Sequence, residues 1–218
     1  MKSLALILVP LTAVLSACGS SGVTQGPPVV RPGAPGQATS VVSADAAKQV
    51  PQATTADITF MQGMIHHHAQ ALDMTELIDA RSNDPDMKKL GLRIHVSQTD
   101  EIKMMQRWLQ ARGQDAPDPR AHRGMAGMEG MDHAVMMPGM LTPEEMARLS
   151  AAKGPEFDRL FLEGMIKHHE GALTMVKDLF ATPGAGQQSD IFAFASDVES
   201  DQKMEIDRMS DMLKERMK

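Results

Sequence analysis

The chain of 218 residues is 42% apolar and carries a formal net charge of −6 with acidic and basic residues interspersed, which allows one sizeable core and argues against a nucleic-acid partner. Its one cysteine, Cys18, excludes an internal disulfide and any cysteine-based zinc or iron–sulfur centre. Methionine is the anomaly, present twenty times against 3% aromatic residues and no Tyr; it is an adaptable core filler and also a soft thioether ligand.

Lys2 precedes an apolar run from Leu4 to Leu15 that is too short for a permanent membrane span and sits where a signal peptide belongs. Leu15-Ser16-Ala17-Cys18 has the form of a bacterial lipobox. Residues 1–17 are thus expected to be removed and Cys18 to receive lipid, whereas a plain signal peptide cut after Ala17 would leave a free thiol. The expected location is the extracytoplasmic face of the cell membrane, held there by the lipid. Residues 18–52, with Gly26-Pro27-Pro28 and Arg31-Pro32-Gly33-Ala34-Pro35-Gly36, cannot bury a core and read as a disordered tether.

From residue 53 to 218 the pattern is helical. Thr54-Thr55-Ala56-Asp57 fits a capping box, and apolar positions then recur every three or four residues to Ile78. Asn83-Asp84-Pro85 ends that helix and opens a second, which runs to about Arg112 and stops at Gly113. Residues 113–141 form a Met-rich loop in which Met125, Met128, Met131, Met136, Met137 and Met140, with His133, fall within sixteen residues of no helical or strand periodicity. Thioethers at this spacing in a Gly-rich segment suit Cu(I), and Ag(I) would bind alike, with His122 a less well placed addition. The other reading of this loop is a hydrophobic lid docked on the body. Thr142-Pro143-Glu144-Glu145 opens a short helix ended by Gly154, Pro155 opens a long one to about Phe180, and the last runs from about Asp190. No convincing strand is predicted.

The first and third long helices repeat one another. Shifted by 101, Asp57, Phe60, Gly63, Met64, Ile65, His67, His68, Ala71, Leu72 and Met74 recur as Asp158, Phe161, Gly164, Met165, Ile166, His168, His169, Ala172, Leu173 and Met175. At a shift of 104, Gln98, Glu101, Ile102, Met105 and Leu109 recur as Gln202, Glu205, Ile206, Met209 and Leu213. The repeated unit is a hairpin, and two copies make an all-α four-helix bundle. At ~100° per residue the repeated positions of the first helix share an arc of about 120°, the width of a core-facing stripe, and His66 lies opposite it. Antiparallel pairing then sets His67 and His68 level with Gln98 and Glu101, and His168 and His169 level with Gln202 and Glu205. The interior is expected to hold a polar belt flanked by Met64, Met105, Met165 and Met209. Either those groups hydrogen-bond one another or a metal ion satisfies several lone pairs at once. The belt could take one ion between the hairpins, one per hairpin, or none.

Phe60-x3-Met64-x2-His67-His68-x2-Ala71-x2-Met74 with its second copy, and Gln98-x2-Glu101-Ile102-x2-Met105-x2-Trp108-Leu109, resemble the bacterial family catalogued as domain of unknown function 305, over about residues 54–217. The resemblance implies a ferritin-like helical bundle, export, often with a lipid anchor, and in some members copper binding and resistance. The function expected is capture or buffering of Cu(I) or Cu(II) by His and Met ligands without turnover, Cu(I) being favoured. Its partners would be the metal ion and the membrane; self-association and the protein that exchanges metal with it are left open. A metal-free surface interaction module is the alternative. A ferritin-like di-metal oxidase is the third reading, and Glu101 and Glu205 alone are too few repeated carboxylates for it.

Overall fold

The computed structural model describes residues 29–31, 38–42, 52–119 and 136–216. Helix α1 (Thr55–Glu76) begins at the expected capping box: the Thr54 hydroxyl accepts from the Asp57 amide, and the Asp57 carboxylate accepts from the Thr54 amide at 2.8 Å. A single further turn, α2 (Ile78–Arg81), follows it. Asp84 caps α3 (Pro85–Gln110), with Pro85 at the first position where its missing N–H costs nothing. A second capping box, Thr142 with Glu145, starts α4 (Pro143–Ala151), and α5 (Gly154–Ala181) and α6 (Ser189–Arg216) complete the chain.

The long helices form the four-helix bundle that the repeat implies. α1 packs on α3 and α5 on α6, and the hairpins meet along α1 and α5. α3 and α6 close the other side through Arg93 and Glu205 at 3.5 Å, the Trp108 indole donating to Asp190 at 2.9 Å, and an ion pair of Arg216 with Asp84. The apolar core is in two parts. One holds Phe60, Met64, Met105, Trp108 and Phe194; the other holds Met74, Met87, Phe161, Met165 and Met209. Each part draws on both hairpins, so neither hairpin alone retains a core. The polar belt lies at the level between them.

One departure concerns the amino-terminal stretch. Strands β1 (Val29–Arg31) and β2 (Ser40–Val42) pair antiparallel with Val29 opposite Val42, where no strand was expected. Valine doublets on either side of a Pro/Gly run favour extended pairing. Val30 stays 61% exposed, so the ladder adds nothing to the core. The lipobox and Cys18 lie outside the described residues. Among the described residues no helix is long and apolar enough to cross a membrane.

Candidate metal centre

Eight side chains expected as belt ligands, Met64, His67, His68, Met105, Met165, His168, His169 and Met209, are each 0% exposed. Helical spacing puts each His pair on the buried face one turn after its methionine. The antiparallel hairpins bring the expected partners level: His68 Nε2 lies 2.5 Å from Glu101 Oε2, and His169 Nε2 lies 2.8 Å from Glu205 Oε2. Where the hairpins meet, the His67 and His168 rings stack with centroids 3.8 Å apart and planes at 39°. The methionines divide, Met64 and Met105 to one part of the core, Met165 and Met209 to the other. His66 is half-buried rather than fully exposed.

The hydrogen bonds set the tautomers. His67 Nε2 is 2.9 Å from the Pro138 carbonyl oxygen, and His168 Nε2 is 2.9 Å from that of His67. A carbonyl or carboxylate can only accept, so in all four rings Nε2 carries the hydrogen and donates it. Each Nδ1 is buried and has no hydrogen-bond partner among the described residues, and the same holds for both amide atoms of Gln98 and of Gln202. Burial, and then the neighbouring His68, lowers His67 to about 3; burial, with His67 and His169 beside it, takes His168 well below its ordinary value. Both rings are therefore neutral at neutral pH and turn a bare lone pair inward. An imidazole that donates one N–H to a carbonyl or carboxylate and leaves the other nitrogen bare is the usual outer-shell arrangement of a metal ligand. For Glu101, burial works to raise the carboxyl but is outweighed by the hydrogen bonds from His68 and from Ser97, 2.9 Å away, so it sits below the usual carboxylate range. Among the described residues no three His, Cys, Asp or Glu side chains converge on a point where one ion could sit.

Of the Met-rich loop, Met136, Met137 and Met140 lie among the described residues. Met125, Met128, Met131, His133 and His122 lie outside the described residues. Met136 is exposed, whereas Met137 and Met140 are half-buried in a strap, 137–141, that crosses α1 and α5. Gln70 holds the strap by both amide atoms: its Nε2 donates to the Leu141 carbonyl at 2.9 Å, and its Oε1 accepts the Leu141 N–H at 2.7 Å. On α5 the strap lies directly on Gly171, where a Cβ would be 1.9 Å from the Pro138 oxygen; Gly139 turns the chain there with φ +75°. Pro138, Gln70 and Gly171 were missed by the sequence reading. The signal was the mismatch itself, since Gln70 and Gly171 are repeat mates that differ inside an otherwise matched stretch.

A family model, the domain of unknown function DUF305, matches residues 57–213. Among solved structures the chain is similar to a DUF305 fragment from Deinococcus radiodurans, with 29% identity over 76% of this chain and 99% of that one and a TM-score of 0.62. It is similar to a DUF305 protein from Streptomyces coelicolor, with 28% identity over 74% and 93% and a TM-score of 0.60. CopM in its Cu(II)-bound form is 28% identical over 73% of this chain and 96% of that one, with a TM-score of 0.57. A curated relative, uncharacterized protein L153 of Acanthamoeba polyphaga mimivirus, is 41% identical over 54 residues, which is 25% of this chain; the match spans 36% of the length of that protein.

Proposed function

The chain belongs to the DUF305 family, and from that premise and the geometry of the belt we propose that it is an exported, lipid-anchored protein that captures or buffers copper, Cu(I) above all, without catalysing a reaction. The observation that carries this is the set of four buried imidazoles, each donating through Nε2 and each with a buried Nδ1 that has no hydrogen-bond partner among the described residues. Leaving so many polar atoms unpaired costs about 1–3 kcal/mol apiece, and a bound cation offsets several of these costs together. No three His, Cys, Asp or Glu side chains converge among the described residues, so on this reading soft thioether donors supplement the imidazoles, with Met64 and Met165, one turn before His67 and His168, the first candidates. Mixed imidazole and thioether donors favour Cu(I) and tolerate Cu(II). CopM, a similar protein, has been crystallised in Cu(I)-, Cu(II)- and Ag-bound forms. The lipobox at Cys18 supports the anchor.

The test is an anaerobic Cu(I) titration of residues 19–218 against a chromogenic chelator, with Zn(II) and Fe(II) as controls. Tight, stoichiometric Cu(I) uptake with weak uptake of the others is expected. Failure to compete for Cu(I) overturns the reading in favour of a metal-free interaction module, which the complete burial of the four histidines also fits. Preference for Fe(II) would point to the di-metal oxidase.

A further inference from the structure

The strap is fixed at two neighbouring points, Leu141 on the Gln70 amide and Gly139 on Gly171. Anchored so close by, Met137 has little freedom in where it places its side chain. Its Sδ lies 3.4 Å from the point a Cβ would occupy on Gly63, and the methyl carbon of Met175, from α5, lies 3.5 Å from the same point. Two thioether side chains from different elements thus converge on the bare backbone of a glycine, both half-buried at the edge of the bundle.

The repeat supplies an internal control. At Gly164, the mate of Gly63, the corresponding neighbours are Leu141 and Met74, with Leu141 Cδ2 at 3.1 Å and Met74 Cε at 3.3 Å. Leucine fills that place by packing alone. At the Gly63 side the strap presents the Met137 sulfur instead, and the Met175 side chain that meets it there through its methyl group carries a second soft donor. Neither sulfur needs deprotonation, and a pair of thioethers matches a soft monovalent ion that accepts two donors in line.

We propose that Met137 and Met175 form a two-thioether site for a soft monovalent cation, Cu(I) or Ag(I), over Gly63 at the surface of the bundle. The site deepens the copper reading and shares its premise that thioethers here bind metal, but it is separate from the belt and can fill while the belt is empty.

The full chain, held in detergent and labelled with 13C at the methionine methyl groups, is titrated with Ag(I), a diamagnetic probe without redox chemistry. Signals are assigned with Met→Leu variants, which conserve volume and leave the fold intact. The Met137 and Met175 signals are expected to shift together and saturate together. Met175→Leu abolishes the Met137 shift, and Met137→Leu abolishes that of Met175. A Met137 shift that survives Met175→Leu overturns the site, as does silence of both signals while Met64 and Met165 respond. Response of Met137 and Met175 alone sustains the site and counts against the belt. Silence of every methionine sinks both.

Discussion

His68 donates to Glu101 and His169 to Glu205, yet the two hairpins finish this shared arrangement differently. Glu101 is 20% exposed and takes a hydroxyl from Ser97 of its own helix; Glu205 is 7% exposed and faces Arg93 of the other hairpin at 3.5 Å. His67 donates to the strap at Pro138, whereas His168 donates to the backbone of His67 itself. Asp57 accepts the Gly186 N–H at 2.7 Å and the Thr54 amide and hydroxyl, while Oδ1 of its counterpart Asp158 is buried with no hydrogen-bond partner among the described residues. The matching residues of the two hairpins set where the side chains stand, but the segment joining the hairpins is present once and offers its Pro138 carbonyl to one of two matching histidines. It serves His67, and the second copy is then satisfied by the first. The belt is symmetric in composition and ordered in dependence.

The strongest way to break the comparison is to remove the pair at its centre. His67→Ala combined with His168→Ala is expected to weaken Cu(I) binding by more than about a hundredfold, beyond what loss of an outer-shell partner costs. His66→Ala, outside the stack, should leave it nearly unchanged. Chelator competition on the three proteins decides the matter, and equal losses would refute the assignment of the inward face.

Protonation tests the same pair in metal-free protein. His67 takes up a proton only near pH 3 when folded, and His168 is also far below its ordinary value, whereas both titrate near 6.5 when unfolded. Between these limits the unfolded state binds more protons, so stability rises with pH and falls as pH drops below about 6.5. Each histidine contributes up to about 1.4 kcal/mol per pH unit in that window. Urea denaturation between pH 7 and 5 should show this slope, and His168→Gln should reduce it by about half. A flat wild-type profile would mean that the rings are not held neutral.

Much of this was legible in the residues. The ten matching positions from Asp57 to Met74 and from Asp158 to Met175 pointed to two like hairpins and so to the four-helix bundle, and period and helix length placed His68 level with Glu101, because antiparallel helices of known length admit little slippage. The His67–His168 stack was not legible, since the relation between two hairpins depends on packing at residues that carry no pattern. The strap was not legible either: Pro138 acts through its backbone carbonyl, a group every residue has, and Gly171 acts by lacking a side chain. A sequence advertises donors that differ between residues, and it says little about main chain used as a ligand.

A smaller effect sharpens the contrast at the helix starts. Asp57→Ala leaves the Thr54 cap in place but removes the acceptor for the Thr54 amide and the acceptor for Gly186, and should cost about 2–3 kcal/mol in thermal or urea unfolding. Asp158→Ala removes a carboxylate with one buried oxygen already unpaired, and should cost at least about 1 kcal/mol less. Equal costs would show that the two copies are equivalent at this position after all.

The smallest difference lies outside the two carboxyl groups, and salt can separate it. The Ser97 hydroxyl reaches Glu101 at hydrogen-bond distance within one helix, so Ser97→Ala should cost about 0.5–1.5 kcal/mol, and that cost should hardly vary with ionic strength. Arg93 reaches Glu205 from the other hairpin, but its own side chain is mostly exposed, so the pair is worth about 0–1 kcal/mol. Whatever Arg93→Ala costs in dilute buffer should shrink in 1 M salt, where screening length falls to about 3 Å. Urea unfolding of both variants at low and high salt makes the comparison. If the Arg93 effect persists in salt, the ion pair is shielded from solvent and Glu205 depends on the first hairpin as strictly as His168 does. If it fades, the dependence of the second copy on the first runs through the His67 carbonyl and leaves the carboxyl face independent.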